Sequence, residues 1–209
     1  VSWSLTRQDH GEQPFWMAIM LASMVGQIGL PGGGFGFGYS ATNYIGGQFK
    51  VLPGAAFPQT DNEIENFIPV ARISDLLLKP GEKFDFDGKT YVYPDTKIVY
   101  WAGGNPFHHH QDLNRLIKAW EKPDTIISNE WCWNTLAKRS DIVLPCTTPL
   151  ERVDIMMTPR DPYVVSMSKL VEPHGKAKND YEIFTGIAKK MGVEEKFTEG
   201  RNQEEWQKW

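Results

Sequence analysis

Between residues 97 and 191, short apolar runs alternate with helix-patterned stretches, and this alternation constrains the fold more than any other feature. Residues 97–101, 125–128 and 141–144 each hold a strand's length of branched and aromatic side chains. Between them lie 109–120, with Leu113, Leu116, Ile117 and Trp120 on one helical face directed inward, and a second short helical stretch, 131–138. Strand, helix, strand, helix, strand at this spacing predicts a parallel sheet with crossover helices. Residues 164–170 are a fourth strand candidate, and 180–191 predict a helix carrying Ile183, Phe184, Ile187 and Met191. The expected fold class is therefore α/β: a Rossmann-like parallel sheet with flanking helices over 95–209. Such sheets bind ligands beyond the carboxyl ends of their strands, at the loops that open the helices.

Residues 1–94 read as a separate interior segment. Pro14 suits a first helical turn, and Met17, Met20, Leu21, Met24 and Val25 follow at helical spacing, predicting a helix over 14–25 with one face packed inward. Residues 26–54 are glycine-rich without helical or alternating pattern and predict a long ordered loop. A short helix is expected within 64–78, and a hairpin over 83–93 turning at Asp87-Gly88.

Composition narrows the function classes. The 209 residues are 41% hydrophobic and 23% charged, which excludes disordered and collagen-like chains. The apolar stretch at 16–25 is shorter than the roughly 20 residues a membrane span needs. A net charge of −4 argues against a nucleic-acid surface, so any phosphate site must be local. Cys132 and Cys146 lack the CxxC spacing of a zinc or iron–sulfur site and read as plain buried thiols.

The strand ends carry the candidate chemistry. Gly103-Gly104-Asn105 follows the first strand: two glycines allow backbone to approach a ligand, Asn105 suits a helix cap, and the helix start favours an anion. A tight strand-to-helix turn explains the same residues, and the string is not GxGxxG, which disfavours an NAD-dependent dehydrogenase. Glu130 stands at the second strand's end, where an acid can meet ribose hydroxyls or simply open a helix. Arg152, beyond the third, can fork a phosphate or pair with Glu151 or Asp154. The run His108-His109-His110 lacks ligand spacing, and a histidine there suits a ligand's polar edge or solvent. Ser4, Asp9 and His10 lack a GxSxG elbow, leaving a hydrolase unsupported.

Five strings, WSLTRQDHGEQPFW, GQIGLPGGGFGFGY, YWAGGNPFHHHQDLNRLIKAWEKP, SDIVLPCTTPLERVD and KNDYEIF before FTEGR, together resemble the interior of one family. This is the family of dimethyl sulfoxide, trimethylamine N-oxide and biotin sulfoxide reductases, which use a bis(molybdopterin guanine dinucleotide) molybdenum cofactor. The resemblance implies that Gly103, Gly104, Asn105, His109 and Gln111 contact one guanine dinucleotide. It implies that Glu130, where the family usually has Asp, meets the guanosine ribose or base, and that Arg152 matches the family's arginine although Val153 replaces the usual Asn. It further implies that Asp180 reads the guanine edge and that Trp3 and Arg7 lie near the substrate funnel and cofactor.

The serine that ligates molybdenum in this subgroup lies upstream of the matched segment, and no residue here takes that role. The expectation is thus a fragment of a reductase that removes oxygen from a small S-oxide or N-oxide, inactive by itself and completed by the remaining domains of its chain. A cytochrome or other electron donor, a role in anaerobic respiration and a periplasmic location are expected by resemblance, with the cytoplasm as the alternative compartment. A non-catalytic nucleotide-binding module is the alternative function.

Overall fold

A computed structural model of the chain describes residues 1, 3–36, 64, 66–157 and 164–209. It divides into two compact units, 1–57 with 157–163, and 58–156 with 164–209.

In the first unit a 3-10 turn, Trp3–Arg7, leads into helix α1, Glu12–Met24. Gly11 is tightly seated there, since a Cβ on it would fall 2.2 Å from the Leu5 carbonyl oxygen. The expectation of one inward face fails within this unit: Met17, Met20, Leu21, Met24 and Val25 are all exposed, and Ala22 is the helix's buried residue. The reason is compositional. Apolar side chains occupy nearly every position from Phe15 to Leu21, so no polar face opposes them to set an orientation. The glycine-rich stretch is a chain of turns as far as Gly36, and its expected continuation over 37–54 lies outside the described residues.

The second unit opens with a 3-10 turn, Val70–Arg72, running into α2, Ile73–Leu78, within the stretch expected to hold a short helix. The hairpin forms as read: β1, Lys83–Phe86, pairs antiparallel with β2, Lys89–Val92. Asp87 and Gly88 between them both have positive φ, 50° and 72°, the geometry of a two-residue turn matched to strand twist.

The parallel sheet also forms. Strands β3, Ile98–Ala102, β4, Thr125–Glu130, and β5, Ile142–Pro145, lie in that order, with Ala102 opposite Asn129 and Glu130 opposite Pro145. The sheet with its flanking helices makes the unit α/β. Asp141 fastens the entry to β5 twice, its amide donating to the Ile126 carbonyl at 2.9 Å and its carboxylate accepting from the Ile126 amide at 2.8 Å.

Three sequence expectations need correction here. The single helix over 109–120 is two helices, α3, Pro106–His109, and α4, Leu113–Trp120. Asp112 causes the break: it takes a left-handed conformation, φ 46°, and its carboxylate caps α4 by accepting from the Arg115 amide. Leu113, expected inward, is the first residue of α4 and is 42% exposed, while Leu116, Ala119 and Trp120 are buried. The helix expected over 131–138 is reduced to a 3-10 turn, Ala137–Arg139: Trp131 and Trp133 stay at the surface, and the buried apolar side chains are confined to Leu136 and Ala137. The 164–170 run forms a strand as expected, β7, Val164–Met167, and it pairs with β6, Asp154–Met157, in a separate two-stranded sheet.

The core of this unit gathers Leu77, Phe107, Leu116, Ala119, Trp120, Ile126 and Leu136 under one face of the parallel sheet's helices. Arg115 of α4 forms an ion pair with Asp75 of α2, tying those helices at the core's margin. Burial alone would raise the Asp75 carboxyl, but Arg115 and Lys79 outweigh it and hold it below its ordinary value. The chain closes with α5, Asp180–Lys190, α6, Glu194–Thr198, and α7, Gln203–Lys208. Among the described residues no helix is long and apolar enough to cross a membrane.

Candidate functional site

The register of the parallel sheet places three loop starts on one edge: Gly103 after β3, Glu130 ending β4, and Cys146 after β5. A fourth segment joins them, because Cys146 bridges Lys178, the Thr147 amide donates to the Lys178 carbonyl at 3.1 Å, and the Lys178 amide donates to Pro145. That pairing delivers Asp180, at the start of α5, to the same edge.

The first loop is built for close approach. Gly103 and Gly104 have φ of 79° and 72°, two successive left-handed residues that only glycine adopts without strain. A Cβ on Gly103 would meet nothing within 4 Å, so the amide edge of this turn is open. The Trp101 indole N–H donates to the Gly103 carbonyl at 2.8 Å, fixing the turn from below. Asn105 is buried and caps α3 by accepting from the Phe107 amide at 3.0 Å. With four residues, α3 is too short for its dipole to favour an anion, which corrects that part of the sequence expectation. The open glycine amides remain the loop's asset.

Glu130 is 7% exposed, and its carboxylate has no hydrogen bond or ion pair among the described residues. A carboxylate without a protein partner can accept hydrogen bonds from a ligand's hydroxyls. Asp180 is half-buried, and its Oδ1 accepts from the Asn129 amide nitrogen at 2.8 Å. The helix it opens is secured separately by the Asn179–Glu182 capping box.

Arg152 resolves one of the sequence's open alternatives. Its Nε donates to Asp154 at 2.8 Å and its Nη1 to the Thr147 carbonyl at 2.7 Å, so here it ties the turn after β5 to the start of β6. Its Nη2 group, which neither bond uses, is available to a phosphate. Glu151 is likewise structural: it accepts from the Thr148 amide and hydroxyl and from the His174 amide, and these bonds hold its carboxyl below its ordinary value. His109, the last residue of α3, and Gln111, between α3 and α4, are exposed on either side of the half-buried His110. Trp3 and Arg7 belong to the other unit, on its opening 3-10 turn, where Arg7 is exposed.

Three residues at this edge escaped the sequence reading: Tyr100, Asn129 and Cys146. Asn129 adjoins Glu130 at a strand end and was legible by position; Tyr100 and Cys146 carried no signal beyond being an apolar strand member and a plain thiol. The Cys146 thiol is pushed up to about 11 by burial, with the charges of Asp180 and Glu130 adding and Arg152 opposing. Cys132, expected to be buried, is exposed. At pH 8 iodoacetamide is expected to label Cys132 and leave Cys146 unmodified, since only about a thousandth of a thiol with that value is thiolate. Peptide mapping checks this, and equal labelling of both would contradict the crowded acidic surroundings assigned to Cys146.

Comparison with known proteins gives the chain a family. The family model described as molybdopterin oxidoreductase matches residues 1–190. The chain belongs to the molybdopterin oxidoreductase family. It is 48% identical over 206 residues to a biotin sulfoxide reductase of Cereibacter sphaeroides, covering 99% of this chain and 28% of that protein. It is 50% identical over 218 residues to a trimethylamine-N-oxide reductase of Haemophilus influenzae, covering 98% of this chain and 26% of the relative. A dimethyl sulfoxide/trimethylamine N-oxide reductase of Cereibacter sphaeroides is 46% identical over the same share of each. The chain thus spans about a quarter of the length of the curated relatives it matches.

Proposed function

We propose that this chain is the part of a molybdenum-dependent S-oxide or N-oxide reductase that holds one guanine dinucleotide of the bis(molybdopterin guanine dinucleotide) cofactor. The observation that carries the reading is the sheet edge, where an open double-glycine turn, the buried unpartnered carboxylate of Glu130 and the tethered carboxylate of Asp180 lie at the carboxyl ends of parallel strands. These groups fit such a nucleotide. The Gly103 and Gly104 amides suit phosphate oxygens, Glu130 suits ribose hydroxyls, and Asp180 suits the adjacent N1–H and amino group of guanine. The fold this implies is the Rossmann-like arrangement in which a nucleotide lies across the strand ends.

When bound, the cofactor would supply oxygen-atom transfer at molybdenum, while protein supplies binding, orientation and electrostatics. The names of the relatives support an S-oxide or N-oxide as the substrate class, and they do not favour the alternative of a stand-alone nucleotide-binding module. Anaerobic respiration in the periplasm, with a cytochrome or other electron donor, is the setting we propose, supported by the resemblance alone. The test is the content of molybdenum and of GMP, released by acid, in the full-length protein. Two guanine nucleotides released per molybdenum support the reading, and a cofactor without guanine nucleotide would overturn it.

A further inference from the structure

Asn129 is 3% exposed at the end of β4, between two groups that need opposite things from it. Its Oδ1 accepts the Tyr100 hydroxyl at 2.8 Å, and its Nδ2 donates to Asp180 Oδ1 at 2.8 Å. Only one orientation of the amide serves both neighbours. An ionised carboxylate can only accept, so the nitrogen must face Asp180, and the tyrosine, which can donate, must face the oxygen. Tyr100 is itself held, its ring packed 5.3 Å from that of Phe184, one turn along α5 from Asp180. Burial raises the Tyr100 hydroxyl, the Asn129 bond opposes, and the Asp180 charge adds, so the group remains a donor throughout the neutral range. The result is a directed chain from β3 through β4 to the first residue of α5.

We propose that Tyr100 and Asn129 are positioning residues that make Asp180 selective for guanine, by fixing one carboxylate oxygen and so the plane in which the other meets the base. The proposal rests on the reading of Asp180 as the guanine contact. A carboxylate torsion is broad when free, and ordering it on binding erodes what its hydrogen bonds return. Held from behind by Asn129, the carboxylate is already aligned for two side-by-side donors. Neither Tyr100 nor Asn129 has to touch the nucleotide to have this effect.

The test uses the full-length apoprotein with GDP and inosine 5′-diphosphate as probes, because inosine keeps the N1–H and lacks the amino group. One hydrogen bond to a charged acceptor is worth about tenfold, so the unaltered protein is expected to prefer GDP by about that factor. Tyr100→Phe and Asn129→Leu are expected to cut the preference to about two- to threefold while leaving inosine diphosphate affinity within about twofold. In an Asp180→Ala background, which is expected to abolish the preference, adding Tyr100→Phe should change nothing further. A merely structural role would weaken both nucleotides together and leave the ratio intact. Loss of preference in Asp180→Ala with an undiminished preference in Tyr100→Phe and Asn129→Leu overturns the positioning role and spares the guanine reading. A full preference in Asp180→Ala overturns both. Should Asn129→Leu fail to fold, Tyr100→Phe, which removes a single oxygen, decides alone.

Discussion

Asp180→Ala in the full-length protein is expected to release most of its guanine nucleotide and molybdenum, and to do so more completely than Glu130→Ala. Losing a carboxylate that two donors of the base face leaves those donors unpaired, at a cost on the order of 1–3 kcal/mol or more. The same change also orphans the amide nitrogen of Asn129, which is buried and has Asp180 as its acceptor. Glu130 is the more enclosed of the two carboxylates. The order of effects therefore rests on partners rather than on mobility. Glu130 has no partner to orphan, and ribose hydroxyls turned away from it can find water. Molybdenum analysis and acid-released GMP, measured after gel filtration, check the order. Full retention in Asp180→Ala with loss in Glu130→Ala would reverse the assignment of the two carboxylates.

Leu116→Ala is expected to destabilise the second unit by about 2–5 kcal/mol, against about 0.5 kcal/mol for Leu113→Ala on the same helix. Leu116 is 0% exposed and sits among Phe107, Ala119, Trp120, Ile126 and Leu136, where removing its methyl groups opens a cavity that the sheet on one side prevents from closing. Leu113, three residues earlier, lies at the exposed start of α4, so its truncation removes little buried surface. A loss of this size is a large part of the roughly 5–15 kcal/mol that holds a domain folded. Urea unfolding monitored by tryptophan fluorescence checks it. Equal effects of the two substitutions would mean that α4 packs through another face.

The parts of this fold that depend on local pattern were legible in the sequence. The three parallel strands, the Asp87-Gly88 hairpin and the helix after Asn179 each follow from periodicity, turn chemistry or a cap within a few residues. The errors share a physical cause, which is dependence on partners far along the chain. The strand at 164–167 was legible, while its pairing with 154–157 depends on a partner that no local pattern names. The aromatic residues of 131–133 have strong apolar character, yet they stay at the surface while Leu136 and Ala137 go inward. Asp112 could have been read as the cap that splits the helix, since it precedes an amphipathic stretch, but the histidines before it extended the pattern.

The site divides the same way. Glu130 and the glycine pair were visible because strand ends in a parallel sheet are where ligands bind, a rule that needs only the alternation. Asp180 came from resemblance, and only the fold shows how it arrives, through the Cys146–Lys178 bridge and the side chain of Asn129. Arg152 was left between a phosphate and an ion pair, and the structure gives it Asp154 and the Thr147 carbonyl. Tyr100 and Asn129 are 29 residues apart, and Asn129 and Asp180 are 51 apart, so no spacing rule could have joined them.

The central claim is that the carboxyl edge of β3, β4 and β5 holds a guanine dinucleotide, and an experimental structure of the full-length protein purified with its cofactor tests it most directly. The account predicts a guanine base within hydrogen-bond distance of the Asp180 carboxylate, its ribose at Glu130 and phosphate oxygens against the Gly103 and Gly104 amides. A cofactor whose nucleotides all lie elsewhere, with this edge covered by protein or filled by solvent, would contradict it.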